Sequence, residues 1–501
     1  MDLFNNLTLG FQVALTLENL AYCFIGALAG TLVGVLPGLG PTATLAMLLP
    51  SIYTLPPTPA LIMLAGIYYG SQYGGSTTAI LINVPGEASS VVTAIEGHLM
   101  ARNGRAGAAL AAAGLGSFFA GCVGTLFVAA LAVPLTKVAF QFGPAEYFSL
   151  MVLGLLGAIA LASGSLLKAL GMIVLGLLLG QINTDVLAAA PRFTFGIPDL
   201  MDGIGIVGIA MGLFGFCEIM GNLDTAPDDR EVFTKEVHGL WPTKDDFKDA
   251  WGSVLRGTGL GSILGVLPGG GPLLASFASY SIEKRLAGDR GMFGRGDIRG
   301  VAGPESANNA AAQTSFIPML TMGLPANSGM ALMIGAMVLM GIQPGPQVMN
   351  TKPDLFWGLI ASMWVGNLML IILNLPLVGI WIKMLSVPYR YLYPAIIAFC
   401  GIGLFTLNNS SFDVYVGAVF GIFGYAFYKL GCETAPLILG FILGPMMEEY
   451  LRRALLMSHG DWSTFVTSPL SAGLLAVAVV LLIVVALPSN RKIRDVAFTE
   501  Q

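Results

Sequence analysis

The 501-residue chain carries 24 Lys or Arg and 29 Asp or Glu, so charged residues make up 11% of it, where soluble domains hold about 25%. With 55% hydrophobic residues, 65 glycines and a mean hydropathy of +0.77, it has more apolar material than a soluble protein of this size covers with polar surface, which argues against a soluble enzyme. A net charge of −5 with no basic arm or patch excludes nucleic acid as a partner.

The charges are unevenly placed: 21 of them fall in residues 224–299, and between Leu3 and Gly86 the only one is Glu18. That span is long enough for at least two membrane crossings at about 20 residues each, so the class is a polytopic α-helical membrane protein. The start, MDLFNNLTLGF, lacks the positive n-region of a cleavable signal peptide, and the first apolar segment is expected to stay in the mature protein. Cys23, Cys122, Cys217, Cys400 and Cys432 sit singly among apolar residues with no CxxC spacing and read as small buried hydrophobes.

Apolar stretches broken by Gly, Pro or charge lie near 20–36, 41–50, 60–82, 106–133, 147–163, 166–182, 203–220, 253–282, 311–343, 355–382, 392–407, 413–430, 434–447 and 466–487. Some are too short to span and read as half-helices or re-entrant hairpin arms, which leaves about 12 transmembrane helices. The expected organisation is a membrane repeat over 1–221, a charged loop over 222–250, a second membrane repeat over 251–487 and a polar tail over 488–501.

An internal repeat carries that division. Residues 26–41 read GALAGTLVGVLPGLGP and residues 257–272 read GTGLGSILGVLPGGGP, so Gly26, Gly30, Gly34, Pro37, Gly38, Gly40 and Pro41 recur as Gly257, Gly261, Gly265, Pro268, Gly269, Gly271 and Pro272 at an offset of 231. Each copy follows a polar-apolar stretch, LTLENLAY or DDFKDAWGS, that suits a helix along the membrane interface. A second match, ILINVPGEASS around Pro85 and MLTMGLPANSG around Pro325, has an offset of 240, the extra nine residues fitting the longer loop after Lys284.

The Lys/Arg distribution predicts that the two repeats are inverted. After the first element the loop SIYTLPPTP has no Lys or Arg, while its equivalent holds Lys284, Arg285, Arg290, Arg295 and Arg299; after the second element the bias swaps, with Arg102 and Arg105 against Lys352 alone.

The GxxxGxxxG rows suit close helix packing. The following PGxGP cannot continue a helix, so the backbone opens and leaves polar groups that survive at membrane depth only where protein or a water-filled cavity satisfies them. A new helix start at Thr42 or Leu273 then offers amide donors and a positive dipole end to an anion. The second pair of breaks adds Asn83, Pro85, Gly86, Ser89 and Ser90, and Thr321, Gly323, Pro325, Asn327 and Ser328. N–H groups and hydroxyls suit a carboxylate, which makes Gly38, Gly40, Thr42, Asn83, Gly86, Ser89, Ser90, Gly269, Gly271, Asn327 and Ser328 the candidate substrate-binding residues. Freed carbonyls with Asn, Ser and Thr oxygens suit Na⁺, which makes Asn83, Pro85, Ser306, Asn308, Asn309, Thr314, Thr321 and Pro325 the candidate cation-binding residues.

Two further polar clusters, YYGSQYGGSTT over 68–78 and GPESANNAAAQTS over 303–315, are expected to face the protein interior. Pro304 with Glu305 also reads as the first turn of a helix. Isolated charges such as Lys137, Lys168, Glu218, Asp413 and Glu433 read as snorkelling or pairing groups near segment ends. No P-loop, no HExxH or similar ligand set among His98, His238 and His459, and no GxSxG elbow is present, so ATP hydrolysis, a transition-metal site and hydrolase chemistry are not expected.

The paired GVLPGLGPTA and GVLPGGGP elements, YGSQYGGSTTAILINVPGEASS and GPESANNAAAQTSFIPMLTMGLP resemble the large membrane subunit of the tripartite tricarboxylate transporters over essentially the whole chain. The resemblance implies a permease of the bacterial inner membrane that works with a small four-helix membrane subunit and a periplasmic solute-binding protein. It also implies import of citrate or related carboxylates driven by Na⁺ or H⁺, with binding residues at Pro37 to Thr42, Asn83 to Ser90, Pro268 to Pro272 and Thr321 to Ser328.

The reading is a secondary transporter of a small organic anion, with no cofactor other than the coupling ion and with homo-oligomers open. A dicarboxylate permease of related type or a stand-alone carrier or exporter is the alternative within transport, and an intramembrane enzyme or a scaffold is the remote one. Only Glu87 and Glu305 lie near the site elements, with no Lys or Arg, so backbone amides, helix ends and co-bound cations are expected to hold the anion.

Overall fold

The computed structural model describes residues 3–36, 39–161, 165–185, 190–224, 239–267, 271–288, 291–385 and 389–486. Pro37, Gly38, Pro268 and Gly269 of the repeated motif lie outside them. Apart from a two-residue antiparallel hairpin of Asn183–Thr184 with Pro191–Arg192, the regular elements among the described residues are helical. Among the described residues five helices are long and apolar enough to cross a membrane, and six shorter apolar ones accompany them. The chain is an all-α, multi-pass membrane protein.

Twelve helices build the part that matters for function. The first set is α1 (Leu3–Ala14), α2 (Leu17–Gly34), α3 (Pro41–Leu48), α4 (Pro57–Ile82), α5 (Val91–Met100) and α6 (Ala106–Ala139). The second is α7 (Lys244–Leu264), α8 (Gly271–Ala287), α9 (Arg299–Thr314), α10 (Phe316–Met322), α11 (Ser328–Leu339) and α12 (Pro353–Asn374). Local chemistry sets their ends. Thr16 accepts from the Asn19 amide to start α2, and Thr243 and Asp246 form a reciprocal capping box that starts α7 within residues 222–250. Asn83 (φ 55°) ends α4 and Gly323 (φ 72°) ends α10, both in the left-handed conformation that stops a helix, and these two positions are equivalent at the 240-residue offset.

The glycine rows explain how α2 and α7 dock. A Cβ on Gly26, Gly30 or Gly34 would run into the carbonyl oxygens of Met63, Ile67 and Ser71 on α4, one after another. A Cβ on Gly257, Gly261 or Gly265 would do the same at Gly303, Ala307 and Ala311 on α9. Each row is therefore a backbone-to-backbone contact that only glycine permits, with dispersion and weak Cα–H···O contacts in place of side-chain interdigitation. The second row reaches nine residues further along the chain than the first, and so α4 and α9 correspond at the 240-residue offset.

The sets interlock. α9 packs on α6 of the first set, and α4 packs on α12 of the second. At one end Glu96 of α5 accepts the backbone amides of Gly294, Gly296 and Asp297 at 2.5, 2.9 and 2.9 Å, and Asn103 donates to the Arg295 carbonyl at 3.3 Å. The turn after α5 and the loop between α8 and α9 thus lie together. Within that loop, burial alone would raise the Asp297 carboxyl; hydrogen bonds from the Arg299 side chain and the Met292 and Arg299 amides, with the Arg299 charge, reverse this and hold it below the ordinary carboxylate range.

Candidate functional site

The breaks in both sets open onto one cleft of about 270 Å³. The start of α3 contributes Gly40, Pro41 and Thr42, the start of α8 Pro272 and Leu273, the start of α11 Asn327 and Ser328, and the 3-10 turn leading into α5 Ala88 and Ser89. α3 packs against α11 and α8 against the Ala88–Ser90 turn, so each pair joins one set to the other. Amide-rich helix starts carry the positive end of the dipole, about half a charge for a regular helix, and here they border a common space. Ala43, Tyr68, Gln72, Glu87, Phe214 and Glu218 complete the lining, which among the described residues contains two acids and no Lys or Arg.

Hydrogen bonds tie the sets together at this point. Thr42 Oγ1 and Ser328 Oγ are 2.8 Å apart, Asn308 Nδ2 donates to Glu87 Oε1 at 2.8 Å, and Asn327 Nδ2 donates to Tyr68 Oη at 3.1 Å. Asn327 also caps α11 by accepting the Met330 amide at 3.0 Å. Glu87 caps the turn into α5, with Ser90 returning a bond to its backbone. Glu87 and Asn327 occupy equivalent positions at the 240-residue offset, as do Tyr68 and Asn308. The two interset hydrogen bonds are thus reciprocal in position but differ in chemistry.

Of the residues singled out from sequence, Gly40, Thr42, Ser89, Asn327 and Ser328 line the cleft, and Asn308 reaches it through Glu87. Gly271 sits beside Asn327, at φ +34°. Gly86 packs against Gly75 and Gly34, and Ser90 is turned into the cap beneath the cleft wall. Asn83, Pro85, Thr321 and Pro325 are not among the lining residues, and the Ser306, Thr314 and Thr321 hydroxyls donate to the carbonyls of Ala302, Ala310 and Ile317 four residues back. Gly38 and Gly269 lie outside the described residues. Asn309 donates to Ser117 Oγ at 2.7 Å, away from the cleft.

Two departures concern acids. Glu305 lies mid-way along α9 rather than in a first turn, because the helix already starts at Arg299 and takes Pro304 into its body. Glu218, read from sequence as a snorkelling or paired group, is brought to the cleft on the helix Cys217–Asp224. Only the fold reveals this, since no spacing links Glu218 to either repeated motif.

Helices broken at matching places, with their amino ends around one cleft of mixed polar and apolar lining between two interlocked sets, match the architecture of a transporter. The chain matches the tripartite tricarboxylate transporter TctA family over residues 20–439 and belongs to that family. Membership makes it a component of a tricarboxylate transport system with partner subunits, and not an enzyme. It is similar to an uncharacterized 52.8 kDa protein in the TAR-I ttuC' 3' region of Agrobacterium vitis, 61% identical over 501 residues and the full length of both chains. It is also similar to an uncharacterized protein in the TAR-II ttuC' 3' region of that organism, 60% identical over 240 residues, 48% of this chain and 99% of the other. No solved structure matches it significantly.

Proposed function

We propose that the chain is the ion-coupled permease subunit of a bacterial inner-membrane importer. In this reading it receives a citrate-like tricarboxylate or related carboxylate from a periplasmic binding protein and works with a small four-helix membrane subunit. The carboxylates sit in the cleft between the starts of α3, α8, α11 and the turn into α5, held by amides and by the Thr42, Ser89 and Ser328 hydroxyls. Glu87 and Glu218 place two acids in the lining, and a polyanion enters together with Na⁺ or H⁺, which lowers the charge carried through low dielectric.

The observation that carries this reading is the convergence of helix starts from both sets on a cleft that, among the described residues, has no Lys or Arg in its lining. The reciprocal bonds Asn308–Glu87 and Asn327–Tyr68 support an arrangement of two inverted repeats, 1–221 and 251–487, that rock about the site. So does the meeting of the Arg102–Arg105 turn with the loop holding Arg295 and Arg299, which in inverted repeats belong on one side.

The test is uptake of radiolabelled citrate into vesicles holding this chain and its small partner, with the binding protein supplied outside and Na⁺ or pH gradients imposed. Uptake that follows one of the gradients supports the reading, and uptake indifferent to both overturns the coupling.

A further inference from the structure

Three elements lead from the cleft into a second polar layer within about one helical turn. On α4, Gln72 lines the cleft and Ser76, four residues on, donates to Glu305 Oε2 at 2.5 Å. Ser89 lines the cleft, and Thr93, four residues on, donates to Glu305 Oε1 at 2.5 Å. On α9, Asn308 holds Glu87 of the cleft, and Glu305 stands three residues before it. Glu305 is 1% exposed, and among the described residues its carboxylate accepts from these two hydroxyls and meets no cationic side chain.

Ser76 also borders a cavity of about 20 Å³ whose wall sets Tyr73, Thr77, Ser117 and Asn374 among Leu110, Ala113, Gly114 and Leu375, room for one water-sized particle. Two of these buried residues keep an oxygen without a partner, Tyr73 Oη and Asn374 Oδ1, and Asn309, bonded to Ser117, keeps Oδ1. A carboxylate, hydroxyls and unpaired amide and phenol oxygens, with no His or Cys thiolate among them, are the donor set of a hard cation. An uncompensated carboxylate at membrane depth is costly, and a bound cation removes that cost.

We propose that Glu305, Ser76 and the adjoining cavity hold one Na⁺, and that this ion is the coupling ion for the anion in the cleft; the inference rests on the transport reading above. Bound there, the ion fixes α4 one turn from Gln72, α5 one turn from Ser89, and the α9 segment that holds Glu87. Ion and carboxylate then stabilise the same arrangement, and each raises the affinity for the other by the same factor.

The experiment is equilibrium binding of radioactive Na⁺ to the purified full-length chain, with and without citrate, alongside vesicle uptake. Saturable binding is expected, with citrate tightening it. Glu305→Gln weakens Na⁺ binding at least about tenfold, the loss of one charge-assisted ligand. Tyr73→Phe and Asn374→Ala, which keep the Glu305 network and so fold independently of it, weaken it about threefold, and the surface substitution Glu449→Gln leaves it unchanged. Thermal melting checks that each variant is folded. Na⁺ binding indifferent to all three site substitutions, with wild-type uptake intact, overturns the ion site and leaves the transport reading standing. Uptake driven by a pH gradient with no Na⁺ bound also overturns it. Glu305-dependent Na⁺ binding in a chain that moves no carboxylate upholds the ion site and overturns the transport reading instead.

Discussion

Asn308 holds the carboxylate of Glu87 across the two sets of helices, Nδ2 to Oε1 at 2.8 Å, from the position on α9 that corresponds to Tyr68 on α4. The counterpart bond, Asn327 to Tyr68 at 3.1 Å, places an amide where the first set has an acid. The framework is duplicated while the cleft it encloses is chemically lopsided, with a hydroxyl pair Thr42–Ser328 on one side and Ala88 and Leu273 at the equivalent positions.

Asn308→Ala removes from Glu87, 8% exposed, the amide donor that reaches it from the other set. Loss of a bond to a buried charged group costs about 1–3 kcal/mol, so the KM for carboxylate uptake is expected to rise roughly tenfold or more. Asn327→Ala also removes the cap of α11, and its thermal melting temperature falls as well as its uptake. Uptake kinetics with melting of both variants separate the two effects.

Thr42 and Ser328 are the hydroxyls that bond directly between α3 and α11. A double-mutant cycle with Thr42→Val and Ser328→Ala is expected to give a coupling of about 0.5–1.5 kcal/mol in substrate affinity. Additive effects of the two substitutions contradict a shared subsite.

Gly30→Ala and Gly261→Ala each push a methyl group into a carbonyl of the facing helix, at Ile67 and Ala307. Overpacking of this kind costs about 1–3 kcal/mol, and both variants are expected to melt lower in detergent. Gly401→Ala, where nothing lies within 4 Å of the added carbon, is the neutral comparison.

Asp297 sets a pH dependence outside the spans. Its folded-state carboxyl is held below the ordinary range, so its contribution to stability is complete above the unfolded value of about 3.9 and is lost as pH falls through the lower folded value. Asp297→Asn is expected to flatten the acid limb of the stability curve below about pH 4, measured as melting temperature against pH.

Much of the fold was legible because glycine and proline rows are so specific: Gly26, Gly30 and Gly34 and their counterparts mark helices that must touch backbone to backbone, and their register reproduces the nine-residue shift between offsets. The lining of the candidate cleft was legible where a break supplies the residue itself, as at Gly40, Thr42, Ser89, Asn327 and Ser328. It was not legible where a side chain has a local choice. The Ser306, Thr314 and Thr321 hydroxyls satisfy their own helices, which residue type and spacing do not reveal. Asn83 is the left-handed stop of α4 and is exposed, so its amide does not line the cleft. Glu218 was missed because its place depends on the segment Met211–Phe216 just before it, which packs beside α3 although it comes long after α3 in sequence.

The central claim is that the anion lies in the cleft between the two sets. The direct measurement is modification of single cysteines at Ser89 and Ser328, in a chain whose five native cysteines are replaced, by a small thiol reagent with and without citrate. The account predicts that citrate slows modification at both positions, one from each set. Equal rates with and without citrate at both positions, in vesicles that transport it, would contradict the account.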